Sequence, residues 1–199
     1  MSNPKLPLPL VGGVSLGYVY LYTGTGGGKT ANALGLALRT VGHGKRVVIV
    51  QFCKWRQDTG EFLVRQRLGD LYEIYAFGRD VWLGTESRTV DFGGEKFQVE
   101  AVTDRDRELA EDALAFAAGV MQERQPALLV LDEVNLAVHW GLLPVGRVLE
   151  LLSHVPKETT VVLTGRYAAK ALLERADFVN IVQDVKMPEK FEPTKGIQY

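Results

Sequence analysis

The residues best suited to chemistry form one unbroken run, Gly24, Thr25, Gly26, Gly27, Gly28, Lys29 and Thr30, joined far along the chain by Asp132 and Glu133. Glycines let backbone N–H groups close around an anion, a lysine supplies a mobile positive charge, and a threonine hydroxyl beside carboxylates offers hard oxygen donors to Mg²⁺ or Mn²⁺. The general phosphate-loop pattern G-x-x-x-x-G-K-[ST] would place glycine at position 23, where Thr23 stands, so the loop is one residue short. A glycine cluster alone also suits a tight strand-to-helix connection, and an Asp-Glu pair alone suits a solvated strand end. Together, with an apolar run before each, they point to a nucleotide triphosphate and a divalent cation.

The flanking segments are the kind that would hold such a loop. "YVYLY" (Tyr18 to Tyr22) and "RVVIVQF" (Arg46 to Phe52) are short apolar runs rich in β-branched and aromatic residues, as buried parallel strands are. Between them Ala33, Leu34, Ala37, Leu38 and Val41 repeat at helical spacing, and Gly42 and Gly44 end the helix. The alternation continues through "YEIYAF", the helical "DRDRELAEDALAFAAGVMQER", "ALLVLDE" (Ala127 to Glu133), "VGRVLELLSHV", "TTVVLTGR" (Thr159 to Arg166), "AAKALLERA" and "FVNIVQ". This order predicts an α/β fold with a mostly parallel central sheet covered on both faces. Phe77 to Thr103 breaks the rhythm and predicts a substrate loop with a hairpin at Gly93-Gly94, while the polar tail from Asp184 predicts a surface strap. Three prolines, Pro4, Pro7 and Pro9, mark residues 1–16 as a loose arm before a single domain over residues 17–199.

Composition excludes several classes. With 199 residues, 46% of them hydrophobic and 24% charged, the chain has the make-up of an ordinary soluble domain. A net charge of -1 provides no broad basic field, so no nucleic acid is expected as a partner. The single cysteine, Cys53, builds neither a disulfide framework nor a cysteine zinc site, which suits a reducing compartment. No apolar run reaches the roughly 18 residues of a membrane span, and the start lacks a secretory signal, so the expected location is cytoplasmic, with no membrane partner.

With those residues in hand, the chain resembles the phosphate-loop type of ATP:cob(I)alamin adenosyltransferases, the corrinoid adenosyltransferases, from about Tyr18 to Tyr199. The matching stretches are "TGTGGGKTA", the helix from Ala33 to Arg39 running into "GHGK" (Gly42 to Lys45), "VVIVQFCK", "LDEVNLAVHWGLL", "TGR" (Thr164 to Arg166) and the final "KGIQY". The resemblance implies a P-loop NTPase-like three-layer fold. It implies ATP and a reduced corrinoid as substrates, either cob(I)alamin or cob(I)yrinic acid a,c-diamide. Co(I) would attack the ribose C5′, the adenosyl group would move to cobalt, and tripolyphosphate would leave. Gly24 to Thr30 would hold the triphosphate, Lys29 would neutralise the leaving group, and Thr30 with Glu133 would hold Mg²⁺, helped by Asp132 through water. A homodimer and a reduced flavoprotein as electron donor also follow from the resemblance.

Arg39 matches the family's helix arginine and would reach the phosphate tail, the alternative being an exposed helix arginine. Arg166, just past a strand end, would contact phosphate or serve on the surface. Trp82 matches a family tryptophan near the corrin, although Asp80 stands where phenylalanine is usual; the alternative is packing on the sheet. Two departures from the family pattern are Gly27 for a loop lysine and Ala31 for a second threonine. His43 is read as a helix-end residue, Cys53 as a half-buried hydrophobe and His139 as a packing residue. A phosphoryl-transfer enzyme or ATPase on the same fold, and a non-catalytic nucleotide or corrinoid carrier, are the competing readings.

Overall fold

In the computed structural model, which describes residues 17–92 and 94–198, the apolar run after Gly17 becomes β1 (Val19–Thr23). The arm expected over residues 1–16 lies outside the described residues. From β1 the glycine run turns the chain into α1 (Lys29–Gly42), which leads to β2 (Val47–Phe52). Two single-turn helices, α2 (Gly60–Leu63) and α3 (Arg65–Leu68), precede β3 (Tyr72–Phe77). Three short strands follow, β4 (Trp82–Leu83), β5 (Arg88–Phe92) and β6 (Glu95–Glu100). The long α4 (Asp104–Glu123) then feeds β7 (Leu128–Asp132). The chain continues through α5 (Val134–His139), α6 (Val145–Leu152), β8 (Thr160–Thr164), α7 (Lys170–Arg175) and β9 (Phe178–Ile181).

The main sheet has six strands in the order β3-β2-β7-β8-β1-β9, and every neighbouring pair is parallel. Parallel strands need crossover connections, and the helices supply them on both faces, as the alternation of patterns required. On one face Ala110, Ala113, Leu114 and Ala117 of α4, Val134 of α5, Val148 and Leu152 of α6 and Leu172 of α7 cover Val48, Val50, Leu129, Leu131 and Leu163. On the other, Ala33 and Ala37 of α1 and Phe62 of α2 cover Val47, Ile49, Ile74, Leu128 and Val130. All six residues of β2 are buried, because both of its faces are covered. Leu38, expected on the buried stripe of α1, is instead 59% exposed. The small residues Ala33 and Ala37 lie closest to the sheet, and the helix turns Leu38 away from it.

Between β3 and α4 lies the second, three-stranded sheet, in the order β4-β6-β5. β5 and β6 pair antiparallel from Arg88 opposite Val99 to Phe92 opposite Glu95, which is the expected hairpin; Gly93 itself lies outside the described residues. The base of this insertion is clasped. The Arg79 guanidinium donates to both Asp106 carboxylate oxygens at 2.9 Å and to Glu100 at 2.6 Å. Asp106 in turn accepts from the Thr103 N–H at 2.8 Å and the Thr103 hydroxyl at 2.7 Å, so the start of α4 and the entrance of the insertion share one carboxylate.

Candidate functional site

Because all six strands run the same way, their carboxyl ends line one edge, where ligands of open α/β sheets bind. The glycine run leaves β1 at that edge. Gly24 has φ +108°, and a Cβ there would stand 2.3 Å from the Val182 carbonyl oxygen, so only glycine permits this close approach to the segment after β9. Gly28, at φ +91°, caps α1 in the left-handed conformation. The Gly26 N–H donates to the Val182 carbonyl at 3.0 Å, and the Gly27 N–H donates to the Asp184 carboxylate at 3.2 Å. The tail expected to cross the surface therefore begins by touching the loop. Thr25 is exposed on the loop. Lys29 is buried, and its ammonium donates to the Gly26 carbonyl. Burial holds its pKa below the usual lysine range, and the nearby Arg166 adds to that depression; Glu133, Asp184 and Asp132 oppose it.

Asp132 ends β7 with no exposure to solvent. Its two oxygens accept four donors: the hydroxyls of Thr30 (2.9 Å) and Thr164 (2.6 Å) on Oδ1, and the Gln51 amide (3.0 Å) and Lys54 ammonium (2.6 Å) on Oδ2. The sheet order explains this convergence, since β2 and β8 flank β7 and β1 lies beyond β8. Burial alone would raise the Asp132 pKa, but Lys54 and the hydroxyl donors hold it below the ordinary carboxylate value. Gln51, Lys54 and Thr164 lie in the matched stretches "VVIVQFCK" and "TGR", but no role follows for them from the sequence. Their signal is a polar residue at or just past the end of an otherwise apolar strand, which burial would penalise unless it had a partner.

Glu133 sits at φ +64°, and its N–H donates to the Thr164 hydroxyl at 3.0 Å. Its carboxylate makes no hydrogen bond among the described residues and lies against the turn after β8, where a Cβ on Gly165 would approach its Oε2 to 3.1 Å. Burial raises its pKa; Lys54 opposes, Asp132 reinforces, and Lys29 and Arg166 oppose. Among the described residues no cluster of three or more His, Cys, Asp or Glu side chains forms a metal cage. The donor set nonetheless fits a hard cation that shares its ligands with phosphate: the Thr30 hydroxyl, the Glu133 carboxylate and Asp132 behind them.

The other expected residues divide. Arg166, exposed just past β8, carries a positive charge that contributes to lowering the Lys29 pKa. Arg39 lies in the last turn of α1, roughly 15 Å along the axis from Lys29 at 1.5 Å per residue, too far for its side chain to reach this loop. Trp82 opens β4 and stacks on Phe97 of β6, with ring centroids 4.6 Å apart, so it packs within the small sheet rather than on the phosphate loop. His43 ends α1, where its N–H donates to the Thr40 carbonyl. His139 stacks on Tyr167 at 4.3 Å, beside Arg166. Cys53 is half-buried at φ +58°, and burial, followed by Glu133 and Asp106, pushes its thiol up to about 12.

The chain is also similar to known proteins of one kind. The family model described as ATP:corrinoid adenosyltransferase BtuR/CobO/CobP matches residues 15–199. A corrinoid adenosyltransferase of Sinorhizobium sp is 31% identical over 187 residues, covering 92% of this chain and 80% of the relative. The corrinoid adenosyltransferase of Pseudomonas aeruginosa is 31% identical over 185 residues, covering 92% and 84%. The corrinoid adenosyltransferase of Escherichia coli (strain K12) is 33% identical over 170 residues, covering 85% and 78%.

Proposed function

The chain belongs to the ATP:corrinoid adenosyltransferase family, and from that premise we propose how its own residues carry the transfer of the 5′-deoxyadenosyl group from ATP to a reduced corrinoid. The observation that carries the reading is the Thr30 hydroxyl joined to Asp132 at 2.9 Å, with the buried Lys29 beside it at the carboxyl edge of a parallel sheet. Such a pairing of phosphate loop and strand-end carboxylate is a triphosphate site.

The loop from Gly24 to Thr30 and the positive end of α1 hold the triphosphate, the Gly26 N–H being given to the Val182 carbonyl. Lys29, its pKa lowered by burial, faces charge that grows on the leaving tripolyphosphate. Arg166 adds a second positive charge from the β8 side. The corrinoid's Co(I), a substrate, attacks the ribose C5′; the carbon–cobalt bond forms as the C5′–O bond breaks, and the electron pair of that bond leaves with tripolyphosphate. The nucleophile carries no proton, so the protein needs no general base. Its work is alignment and charge stabilisation.

Thr30 and Glu133 would hold Mg²⁺ or Mn²⁺, with Asp132 orienting Thr30 from behind. When bound, the cation would neutralise phosphate charge. The small sheet between β3 and α4, with Trp82 stacked on Phe97, is the element we assign to the corrinoid side. Gly27 leaves open space where the family carries a lysine, since a Cβ there meets nothing within 4 Å; the cradle keeps its backbone but loses one charge. Ala31 is exposed on the first turn of α1 and leaves Thr30 as that turn's hydroxyl donor. A homodimer, a cytoplasmic location and a reduced flavoprotein as electron donor complete the proposal; no helix among the described residues is long and apolar enough to cross a membrane.

The test is an anaerobic assay with ATP, Mg²⁺ and chemically reduced cob(I)alamin, run in parallel with reduced cob(I)yrinic acid a,c-diamide. Light-sensitive adenosylated product with one equivalent of tripolyphosphate is expected. ADP with phosphate would identify a phosphoryl-transfer enzyme, and binding without turnover a carrier.

A further inference from the structure

Lys54 is a charged side chain that the transfer step above does not use, yet it is bonded to the centre of the site. Its ammonium lies 2.6 Å from Asp132 Oδ2 and 3.3 Å from the Thr30 hydroxyl oxygen. A carboxylate offers about four lone-pair positions, and the four donors on Asp132 fill them. Three of these donors are fixed by the fold, because Gln51 and Thr164 are buried at strand ends and Thr30 is held in the first turn of α1. Lys54 is different: its side chain is 31% exposed and extends from the loop after β2, so it alone can swing away.

The Thr30 hydroxyl spends its hydrogen on Asp132, which directs its lone pairs outward toward a cation. Lys54 already takes that direction. A divalent ion bound to Thr30, with a water resting on Asp132, would need both lone pairs that the ammonium now occupies. It would also stand within a few ångströms of a like charge, where repulsion is strong in a poorly solvated site.

We propose that Lys54 is the resident counter-ion of Asp132, displaced by the divalent cation, so that metal enters only in company with the triphosphate. This rests on the assignment of Thr30, Asp132 and Glu133 to a metal. Added alone, the cation must expel an ammonium from a carboxylate and gains only part of a ligand set. Arriving on the triphosphate, it brings phosphate oxygens as ligands and an excess of negative charge that offsets the repulsion. The order of binding is thereby set by one lysine.

The experiment is Mn²⁺ titration of the full chain, followed by electron paramagnetic resonance, without nucleotide and with ATP, for wild type, Lys54→Gln, and Lys54→Gln combined with Asp132→Asn. Without nucleotide, Lys54→Gln should bind Mn²⁺ at least tenfold more tightly than wild type, and the double variant should lose that gain. Equal Mn²⁺ affinity in wild type and Lys54→Gln would overturn the proposal. Because removing Lys54 leaves a buried carboxylate unpaired and could unfold the variant, wild type carries a second measurement. With ¹⁵N-lysine labelling, the Lys54 ammonium signal should move when Mg²⁺ and ATP are added together, and hold its position with Mg²⁺ alone. A signal that stays fixed under both conditions would also overturn it. If Mn²⁺ fails to join ATP on the wild-type protein, the metal assignment itself is wrong, an outcome separate from the comparison without nucleotide.

Discussion

The Asp184 carboxylate accepts a hydrogen bond from the Gly27 N–H at 3.2 Å, across 157 positions of sequence. A carboxylate oxygen on a phosphate-loop N–H is an anion where a phosphate oxygen would bind, and it adds negative charge close to Lys29. Asp184→Ala should therefore bind tripolyphosphate about two- to fivefold more tightly, the scale of an exposed charge effect. The gain should shrink at high salt. Calorimetric titration checks it, and weaker binding by the variant would mean that Asp184 supports the loop.

Lys29→Ala and Glu133→Gln should each lower kcat about 10²- to 10³-fold, as loss of one preorganised charge contact does. Cobalamin affinity should hold, since neither side chain belongs to the small sheet. Stopped-flow spectra of the adenosylated product, with corrinoid binding measured separately, distinguish this from a folding defect. A drop in kcat of less than tenfold for Lys29→Ala would remove it from the charge-stabilising role.

Arg79 ties Asp106, Glu100 and Thr103 into the clasp at the base of the small sheet. Arg79→Ala should raise KM for the corrinoid by about fivefold or more while leaving KM for ATP within twofold, because charge-assisted contacts of this kind fix orientation. Equal increases in both constants would assign the clasp to general stability instead.

The Cys53 thiol, pushed up to about 12 by burial, should react with iodoacetamide at pH 8 at least about tenfold more slowly than an unhindered thiol, as thiolate is the reactive form. The same shift has a stability consequence. As pH rises past the ordinary thiol value of 9.0, the unfolded chain loses this proton while the folded chain keeps it, so stability falls. Cys53→Ala should flatten the alkaline limb of the Tm profile. Asp132 acts in the opposite direction: its depressed pKa stabilises the fold above the ordinary carboxylate range, and that contribution is lost as pH falls.

β2 was legible because a strand buried on both faces is mostly apolar, and it matches the expected "RVVIVQF" to within a residue; the edge strand β3 matches "YEIYAF" through its β-branched and aromatic residues. The phosphate loop was legible because its glycines, lysine and threonine are consecutive. The groups around Asp132 were not, since Gln51 in β2, Lys54 in the loop after it and Thr164 in β8 meet on Asp132 only through the order of the strands in the sheet. Arg39 shows the converse: a match of motif points it toward the phosphate, while the helix sets it in the last turn of α1. The Asp184 contact, which closes across most of the chain, had no local signal at all.

The placement of β1 between β8 and β9 also orders events during synthesis. The loop-bearing strand emerges from the ribosome well before both strands that flank it and before Val182 and Asp184, which contact its loop. The nucleotide pocket is consequently finished only after β9 and the residues that follow it have been made. A truncated or stalled chain would carry the full phosphate-loop sequence without the walls that shape it.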